Sequence, residues 1–169
     1  MFLGYLGLES GADDILKLIV KGNTKAEMVS ACEKITAAGW KLSTIAMLGV
    51  GGTALSHKHI FETADIVSQT NPTYLSFLTT MSFPGSPYDR AVQNGKIKLL
   101  SSKELLMEMR EIISNICSNK KIILRINHVS NMFPLAGVLP KDKNKILSQI
   151  DNWIDEEVEG YYPPLPPNY

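Results

Sequence analysis

Two polar segments of the chain carry side chains that suit a nucleoside-bearing or anionic ligand. Glu9, Ser10 and Gly11 follow an apolar run, and a carboxylate there suits ribose hydroxyls. Alternatively, Ser10 or Asp13 caps the following helix. Lys21 comes twelve residues after Glu9 and could neutralise a ligand carboxylate. Its simpler interpretation is a lysine favoured by a helix C-terminus, with Gly22 as the glycine that ends the helix.

The sequence GVGG at residues 49–52 follows a second apolar run. Glycines at Gly49, Gly51 and Gly52 permit close approach of the backbone to a planar or anionic ligand. The segment is not the GxGxxG dinucleotide fingerprint, and it lacks the lysine of a P-loop. A tight turn between a strand and a helix explains the glycines equally well.

The three histidines differ in what their surroundings predict. His128 stands in the sequence NHVSN after a strand-like run, and with Asn127 and Asn131 it is a candidate substrate contact. The alternative is a polar loop whose side chains bond their own backbone. His57 and His59 are two residues apart in the first turn of a predicted helix, so they do not share a face. We predict no metal site.

The two cysteines and the overall composition limit the class of protein. Cys32 and Cys117 form no disulfide framework, and both fall on predicted helices as buried thiols. The 169 residues suit one domain, and a net charge of +0 argues against a broad basic surface for nucleic acid. There is no apolar run of roughly 20 residues and no secretory signal. A cytoplasmic location is the default expectation.

Apolar runs alternate with amphipathic stretches along the chain. The pattern predicts strands at residues 2–8, 41–48, 73–81 and 121–126, and helices at residues 13–20, 24–38, 56–68, 101–116 and 141–157. Capping boxes open the helices at Thr24 and Ser101, and Gly39 ends the second helix. A turn is predicted at residues 84–87, and the proline-rich residues 161–169 are predicted to be extended.

This alternation predicts an α/β fold with a parallel sheet, in which the polar segments all follow strands. Ligand sites in such folds lie at the carboxyl ends of the strands. The first strand begins at the second residue and leaves a naked sheet edge. The sequence therefore reads as the middle of a larger fold, and we expect another segment, or a second copy of the chain, to cover this edge.

The successive segments YLGLESG, LKLIVKGNT, LSTIAMLGVGG and MSFPGSP resemble the radical S-adenosylmethionine (radical SAM) superfamily. Oxygen-independent coproporphyrinogen oxidases and tRNA methylthiotransferases show a similar order: Gln-Ser ending the fourth barrel strand, an Arg twelve residues later, Ile-x-Gly-x-Pro-Gly after the fifth strand and Pro-Gly-Thr-Pro after the sixth. The resemblance covers residues 4–90. Residues 125–143 look like the C-terminal part of some iron–sulfur oxidoreductases of this superfamily.

The resemblance implies half of a partial TIM-type (β/α)6 barrel, with three to four parallel strands, and a C-terminal helical extension. Residues 1–118 would be the barrel half, residues 119–160 the extension, and residues 161–169 a tail. The implied cofactor is S-adenosylmethionine, with Glu9 on the ribose or amino group and Lys21 in place of the arginine that pairs with the methionine carboxylate. The remaining implied cofactor-binding residues are Ser10, Gly11, Ser43, Thr44, Gly49, Gly51, Gly52, Met81 and Pro84.

The sequence departs from the family at three points. Ile45 stands where some relatives have Asp, so Ser43 or Thr44 would contribute instead, and Gly51 replaces the proline of GxPG. The CxxxCxxC motif that holds the family's [4Fe–4S] cluster is absent. The resemblance therefore implies the cofactor-pocket half of a radical SAM enzyme acting on an unknown substrate, with a partner N-terminal barrel half that carries the cluster.

Two alternatives stay open at this stage. The first is a non-catalytic nucleotide-binding or assembly module that self-associates through its open sheet edge and purifies as an iron-free dimer. The second is an unrelated α/β enzyme that uses His128 together with Glu9, which requires the two side chains to converge across the sheet.

Overall fold

A computed structural model describes residues 2–131 and 133–156. Its centre is one five-stranded sheet in the order β1-β2-β3-β4-β5. The first four strands are parallel, and β5 is antiparallel to β4. The strands are β1 (Leu3–Glu9), β2 (Lys41–Leu48), β3 (Tyr74–Thr79), β4 (Ile122–Arg125) and β5 (Ala136–Leu139). The predicted α/β fold class, part of an α/β barrel, is confirmed.

Six helices connect or follow the strands within the described residues. They are α1 (Asp13–Leu18), α2 (Lys25–Ala37), α3 (Gly52–Thr70), α4 (Pro87–Gln93), α5 (Ser102–Asn115) and α6 (Lys143–Asp155). Both predicted capping boxes are present, with the Thr24 hydroxyl accepting from the Glu27 amide and the Ser101 hydroxyl from the Glu104 amide. These local hydrogen bonds satisfy backbone donors at the helix starts, which is why the starts of α2 and α5 were predictable.

The core lies between one face of the sheet and a helix layer. Helix α2 contacts α3, α3 contacts α5, and α5 contacts α6. Along β3, Leu75 and Phe77 are fully buried, whereas the alternate residues Tyr74 and Ser76 are only partly buried. Because side chains of a strand alternate between faces, this pattern places the helix layer on one face of the sheet. The predicted boundary at residues 118/119 falls between α5 and β4, and β4, β5 and α6 continue the same two layers.

Several sequence predictions differ from the structure. The turn predicted at residues 84–87 is present one residue earlier, where the Ser86 amide donates to the Phe83 carbonyl at 3.0 Å, but the helix α4 that Ser86 caps was not predicted. No strand was predicted at β5, whose partner β4 supplies the pairing. Helix α3 begins four residues earlier than predicted, at Gly52 rather than Ser56. The proline-rich residues 161–169, and the end predicted for the last helix at residue 157, lie outside the described residues.

The two cysteines have different surroundings. Cys32 is buried in α2 as predicted, and burial raises the pKa of its thiol to about 11. Cys117 was predicted to be buried on a helix, but it is exposed and lies past the end of α5, where its amide donates to the Ser68 hydroxyl. None of the helices in residues 2–131 and 133–156 is long and apolar enough to cross a membrane.

Candidate functional site

A cleft of about 580 Å³ opens near the carboxyl ends of β1, β2 and β3. Three of the predicted cofactor-binding residues line it together, namely Glu9, Lys21 and Met81. Val50, from the glycine turn, lines it as well. The other lining residues are Leu18, Ile19, Val20, Met47, Thr80, Phe83, Ser86, Pro87 and Tyr88. One wall is therefore charged and polar, and much of the rest is apolar, as in a site for a small organic ligand.

Glu9 and Lys21 form a partly exposed ion pair in this cleft. The Lys21 Nζ donates to the Glu9 Oε1 at 2.8 Å, and the two side chains remain 28% and 22% exposed. A side chain at Gly7 would come within 2.5 Å of the Glu9 carboxylate and 3.1 Å of the Lys21 Nζ, so the missing side chain makes room for the pair. Glu9 itself has a φ of 57°, where β1 loses its regular register with β2.

Lys21 is positioned by an unusual helix end. The Val20 amide donates to the Lys17 carbonyl at 3.1 Å, and the Lys21 amide donates to the Leu16 carbonyl at 2.9 Å. These two bonds define a Schellman motif whose left-handed residue is Val20, with a φ of 56°. Glycine usually fills this place, and the sequence predicted Gly22 for it. That prediction is wrong by two residues. A β-branched side chain strongly disfavours this conformation, so nothing in the sequence pointed to Val20 there.

Thr80 lines the cleft and has a buried polar atom. Its amide donates to the Leu48 carbonyl at 2.9 Å, which extends the β2–β3 pairing. Its hydroxyl oxygen is buried and has no hydrogen-bond partner among the described residues. A buried hydroxyl without a partner is energetically costly. No sequence pattern marked Thr80, since a threonine at the end of a strand is common.

Ser10 and Gly11 lie beneath the cleft and do not line it. The Ser10 hydroxyl is buried, approaches the His59 Nδ1 at 2.9 Å and accepts from the Ala12 amide at 3.0 Å. A Cβ atom on Gly11 would lie 2.0 Å from the backbone carbonyl oxygen of Glu62 in α3. The expectation of direct ligand contact is therefore corrected for both residues. Gly11 is required because helix α3 packs against this turn.

Neighbouring segments of the protein occupy the space beside the glycines of the second turn. The Gly49 amide donates to the Glu108 Oε1 at 2.6 Å. A Cβ on Gly52 would lie 2.7 Å from the Lys98 carbonyl oxygen, and one on Gly51 would lie 2.8 Å from the Ile15 side chain. Gly49, Gly51 and Gly52 thus allow close packing of neighbouring segments, contrary to the expectation of close ligand approach.

Three further predicted contacts lie away from the cleft lining. Ser43 and Thr44 are buried in the middle of β2, and the Thr44 hydroxyl donates to the Tyr74 carbonyl at 3.4 Å. Both are several residues short of the carboxyl end of the strand, so they do not reach the cleft. Pro84 is exposed in the loop before α4, outside the lining, whereas its neighbour Met81 is part of it.

The NHVSN segment supports its own backbone, as its structural alternative predicted. The Asn131 amide group donates to the carbonyls of Phe77 and Ile126 at 2.7 and 3.1 Å, and its oxygen accepts from the Thr79 amide at 2.9 Å. These bonds join β3 to the end of β4, so Asn131 has a structural role and not the predicted substrate contact.

The exposed residues of that segment do not converge with the cleft. Asn127 and His128 are exposed, and the His128 Nδ1 bonds the Ser130 hydroxyl at 2.9 Å and accepts from the Ser130 amide at 3.2 Å. Strands β2 and β3 lie between β1, which carries Glu9, and β4, which precedes His128. The hypothesis of an enzyme that pairs His128 with Glu9 is therefore wrong.

Two titratable residues are buried near the glycine turn: Glu108, which the sequence analysis did not mark, and His59. Glu108 of α5 accepts from the Gly49 amide and from the Ser56 hydroxyl. The His59 Nε2 lies 3.9 Å from the Glu108 Oε1, and both side chains are fully buried. Burial raises the pKa of Glu108 to about 7 and lowers the pKa of His59 to about 4. Helical spacing was the available signal, since Glu108 shares the apolar face of α5 with Leu105 and Ile112.

Hydrogen bonds join His59 to the β1–α1 turn. The hydroxyls of Ser10 and Thr63 lie 2.9 and 3.2 Å from the His59 Nδ1, and they accept from the amides of Ala12 and Gly11. These bonds tie the β1–α1 turn to α3, and Glu108 separately ties α5 to the glycine turn.

Comparisons with known proteins give the fold and little more. No family model and no curated protein sequence matches the chain. Among solved structures, the chain is similar to Elp3 from the archaeon Methanocaldococcus infernus with an N-terminal deletion of residues 1–46, at a TM-score of 0.67 and 14% identity. The match covers 94% of this chain and 37% of the Elp3 chain. Elp3 is a radical SAM family member, and at this identity the likeness shows the fold alone.

Proposed function

We propose that the chain forms part of the S-adenosylmethionine pocket of a radical SAM enzyme. The observation that carries the proposal is the convergence of Glu9 and Lys21, twelve residues apart in sequence, in one cleft near the carboxyl ends of parallel strands. The Glu9 carboxylate suits ribose hydroxyls or an amino group, and the Lys21 ammonium suits a carboxylate. The residues present therefore fit this cofactor.

The same residues do not fit the iron–sulfur cluster. The whole sequence has two cysteines, Cys32 and Cys117, and the described residues contain no group of three or more side chains suited to a metal ion. Cys32 is buried with a raised pKa, which disfavours the thiolate that a cluster requires. Reductive cleavage of the cofactor and hydrogen abstraction would belong to the complete enzyme, with the cluster held by another segment. The role of this chain would be to bind and orient the cofactor.

A titration of the protein with S-adenosylmethionine, followed by NMR, tests this function. We expect weak binding, because the methionyl end has no iron to anchor it, and submicromolar affinity without iron would contradict the proposal. Lys21→Met should lower the affinity for S-adenosylmethionine about tenfold, since an ion pair to the methionyl carboxylate is lost. It should leave the affinity for 5′-methylthioadenosine, which has no carboxylate, unchanged.

Lys17→Met is the matched control, because Lys17 is exposed on α1 and lies outside the cleft lining. It should bind both ligands like the wild-type protein. Glu9→Gln should weaken the binding of S-adenosylmethionine while leaving the fold intact, because Glu9 is only partly buried. If the ligand changed the chemical shifts of other amides but not those of the cleft residues, it would bind elsewhere, and the proposal would be contradicted.

We further propose that the N-terminal half of the barrel covers the open edge of β1. Strand β1 pairs only with β2 among the described strands, and Phe2, Leu3 and Tyr5 are 67%, 37% and 69% exposed beside this edge. An exposed apolar edge pairs readily with another strand. The matched Elp3 chain is much longer than this one, which supports an occupant from a larger barrel.

Sedimentation of the isolated chain separates this partner from the self-associating module. The module predicts a defined dimer without iron, which Tyr5→Lys would dissociate because a charge would face the second copy. The barrel-half proposal predicts a monomer at low micromolar concentration, with Tyr5→Lys unchanged in mass and fold. Lys41→Ala controls for effects of charge, because Lys41 is a partly buried residue of β2, away from the open edge of β1.

A further inference from the structure

Val20 combines a strained backbone conformation with an exposed apolar side chain. It is a β-branched residue in the left-handed region, with a φ of 56°, at the place of a Schellman motif where glycine is unstrained. Its side chain is 82% exposed, so burial in the core returns nothing for this strain. Of the three non-glycine residues with positive φ among the described residues, Glu9 and Val20 both line the cleft. Backbone strain of this kind clusters at ligand sites.

The surroundings of Val20 indicate what it would contact. Met47 and Met81 share the cleft lining with Val20, and Phe83 lies on the same lining. Thioether, aliphatic and aromatic groups together form an apolar wall, which suits a flat or weakly polar group and not a charged one. The charged part of the cleft is supplied separately by Glu9 and Lys21.

We infer that Val20 is a specificity-determining contact for the nucleoside and thioether part of the cleft ligand, while Lys21 binds its carboxylate. The inference rests on the proposed function, because it takes the ligand to be S-adenosylmethionine. In this arrangement the Schellman motif sets two adjacent residues on two different parts of one molecule. The strain at Val20 is retained because a glycine there would end α1 equally well but would leave the apolar wall incomplete.

Val20→Gly tests the inference with two readouts that move in opposite directions. Relief of the left-handed strain should raise the melting temperature by about 2–4 °C. The affinities for S-adenosylmethionine and for 5′-methylthioadenosine, measured by NMR titration at millimolar ligand, should both fall about fivefold, because both ligands carry the nucleoside and thioether groups. Lys21→Met, in contrast, should affect only the first ligand.

Two further variants serve as controls. Val129→Gly removes another valine that is 82% exposed, at a site outside the cleft, and should leave both affinities unchanged. Val20→Asn keeps a residue that tolerates the left-handed conformation and should weaken both ligands as Val20→Gly does.

The outcomes separate the inference from the proposed function. If the wild-type protein bound neither ligand at millimolar concentration, the proposed function and the inference would both be contradicted. If the wild-type protein bound both ligands and Val20→Gly bound them equally well, only the inference would be wrong. A loss restricted to S-adenosylmethionine would also overturn it, since Val20 would then contact the amino-acid part. A fall in the melting temperature of Val20→Gly would show that the residue has a structural role.

Discussion

Replacing Gly11 by alanine should destabilise the protein by at least about 3 kcal/mol. The added Cβ would lie 2.0 Å from the Glu62 carbonyl oxygen and 2.8 Å from the Thr63 amide nitrogen, and both are backbone atoms of α3. A flexible side chain could rotate away from such a contact, but helix backbone cannot. The turn would have to separate from α3, which would also break the hydrogen bond from the Gly11 amide to the Thr63 hydroxyl at 3.0 Å.

Gly22→Ala is the matched comparison for this steric argument. Gly22 has a φ of 80°, and no atom lies within 4 Å of the position of its Cβ. Its replacement therefore costs only the strain of a side chain in this conformation, about 1–2 kcal/mol. Urea unfolding of the two variants should rank Gly11→Ala as clearly the less stable protein, and insolubility of Gly11→Ala alone would agree with this ranking. Equal losses of stability would show that the close approach of α3 to Gly11 is not real.

The packing of Gly11 against α3 also affects the candidate site. Gly11 and Ser10 connect β1 to α1, so they set the positions of Glu9 at one end and of Lys21 after α1 at the other. The sequence marked Glu9-Ser10-Gly11 as a ligand segment, and only its first residue reaches the cleft. The other two act through packing and through the hydrogen bond between the side chains of Ser10 and His59.

Elements whose signals are local were predicted well, and elements that depend on distant partners were not. Strand β2 was predicted with its observed bounds because its residues are strand formers between clear breaks, and the capping boxes at Thr24 and Ser101 are complete within four residues. Strand β5 contains a glycine and has four residues, so only its pairing with β4 makes it a strand. Helix α4 was hidden because Ser86-Pro87 is equally typical of a turn and of a helix start.

The candidate site shows the same division. The ion pair of Glu9 and Lys21 joins two residues that the sequence had marked, but their contact with each other became visible only in the fold. The role of Val20 was hidden, because glycine preference pointed to Gly22 instead. Glu108 stands on the apolar face of an otherwise regular helix, which periodicity alone could have flagged, but its partners Gly49 and His59 lie about fifty residues earlier in the chain.

That buried pair should make stability depend on pH in two opposite ways. Glu108 has a pKa of about 7 in the folded protein against an ordinary value of 4.5, so its contribution is fully present below pH 4.5 and is lost as the pH rises to about 7. His59 has a pKa of about 4 against 6.5, so its contribution is present above pH 6.5 and is lost as the pH falls to about 4. Each shift corresponds to roughly 3 kcal/mol.

In the wild-type protein the two effects oppose each other between pH 4.5 and 6.5, because folding releases a proton from His59 and takes one up on Glu108. The cancellation should disappear when either group is replaced. The free energy of unfolding of Glu108→Gln minus that of the wild-type protein should rise by roughly 3 kcal/mol from pH 4.5 to 7. The corresponding difference for His59→Gln should fall by a similar amount from pH 4 to 6.5.

The informative quantity is the difference in free energy of unfolding between variant and wild type. Several surface carboxylates have lowered pKa values, and they make the free energy of unfolding rise with pH by the same amount in every protein. Asp65 and Asp151 are examples, because ion pairs with Lys25 and Arg110 lower the pKa of each. His57→Gln, at an exposed histidine of the same helix, is the control that separates burial from the loss of any histidine. If Glu108→Gln and His59→Gln gave parallel curves, the neutral buried pair would not exist, because only groups shifted in opposite directions can produce differences of opposite sign.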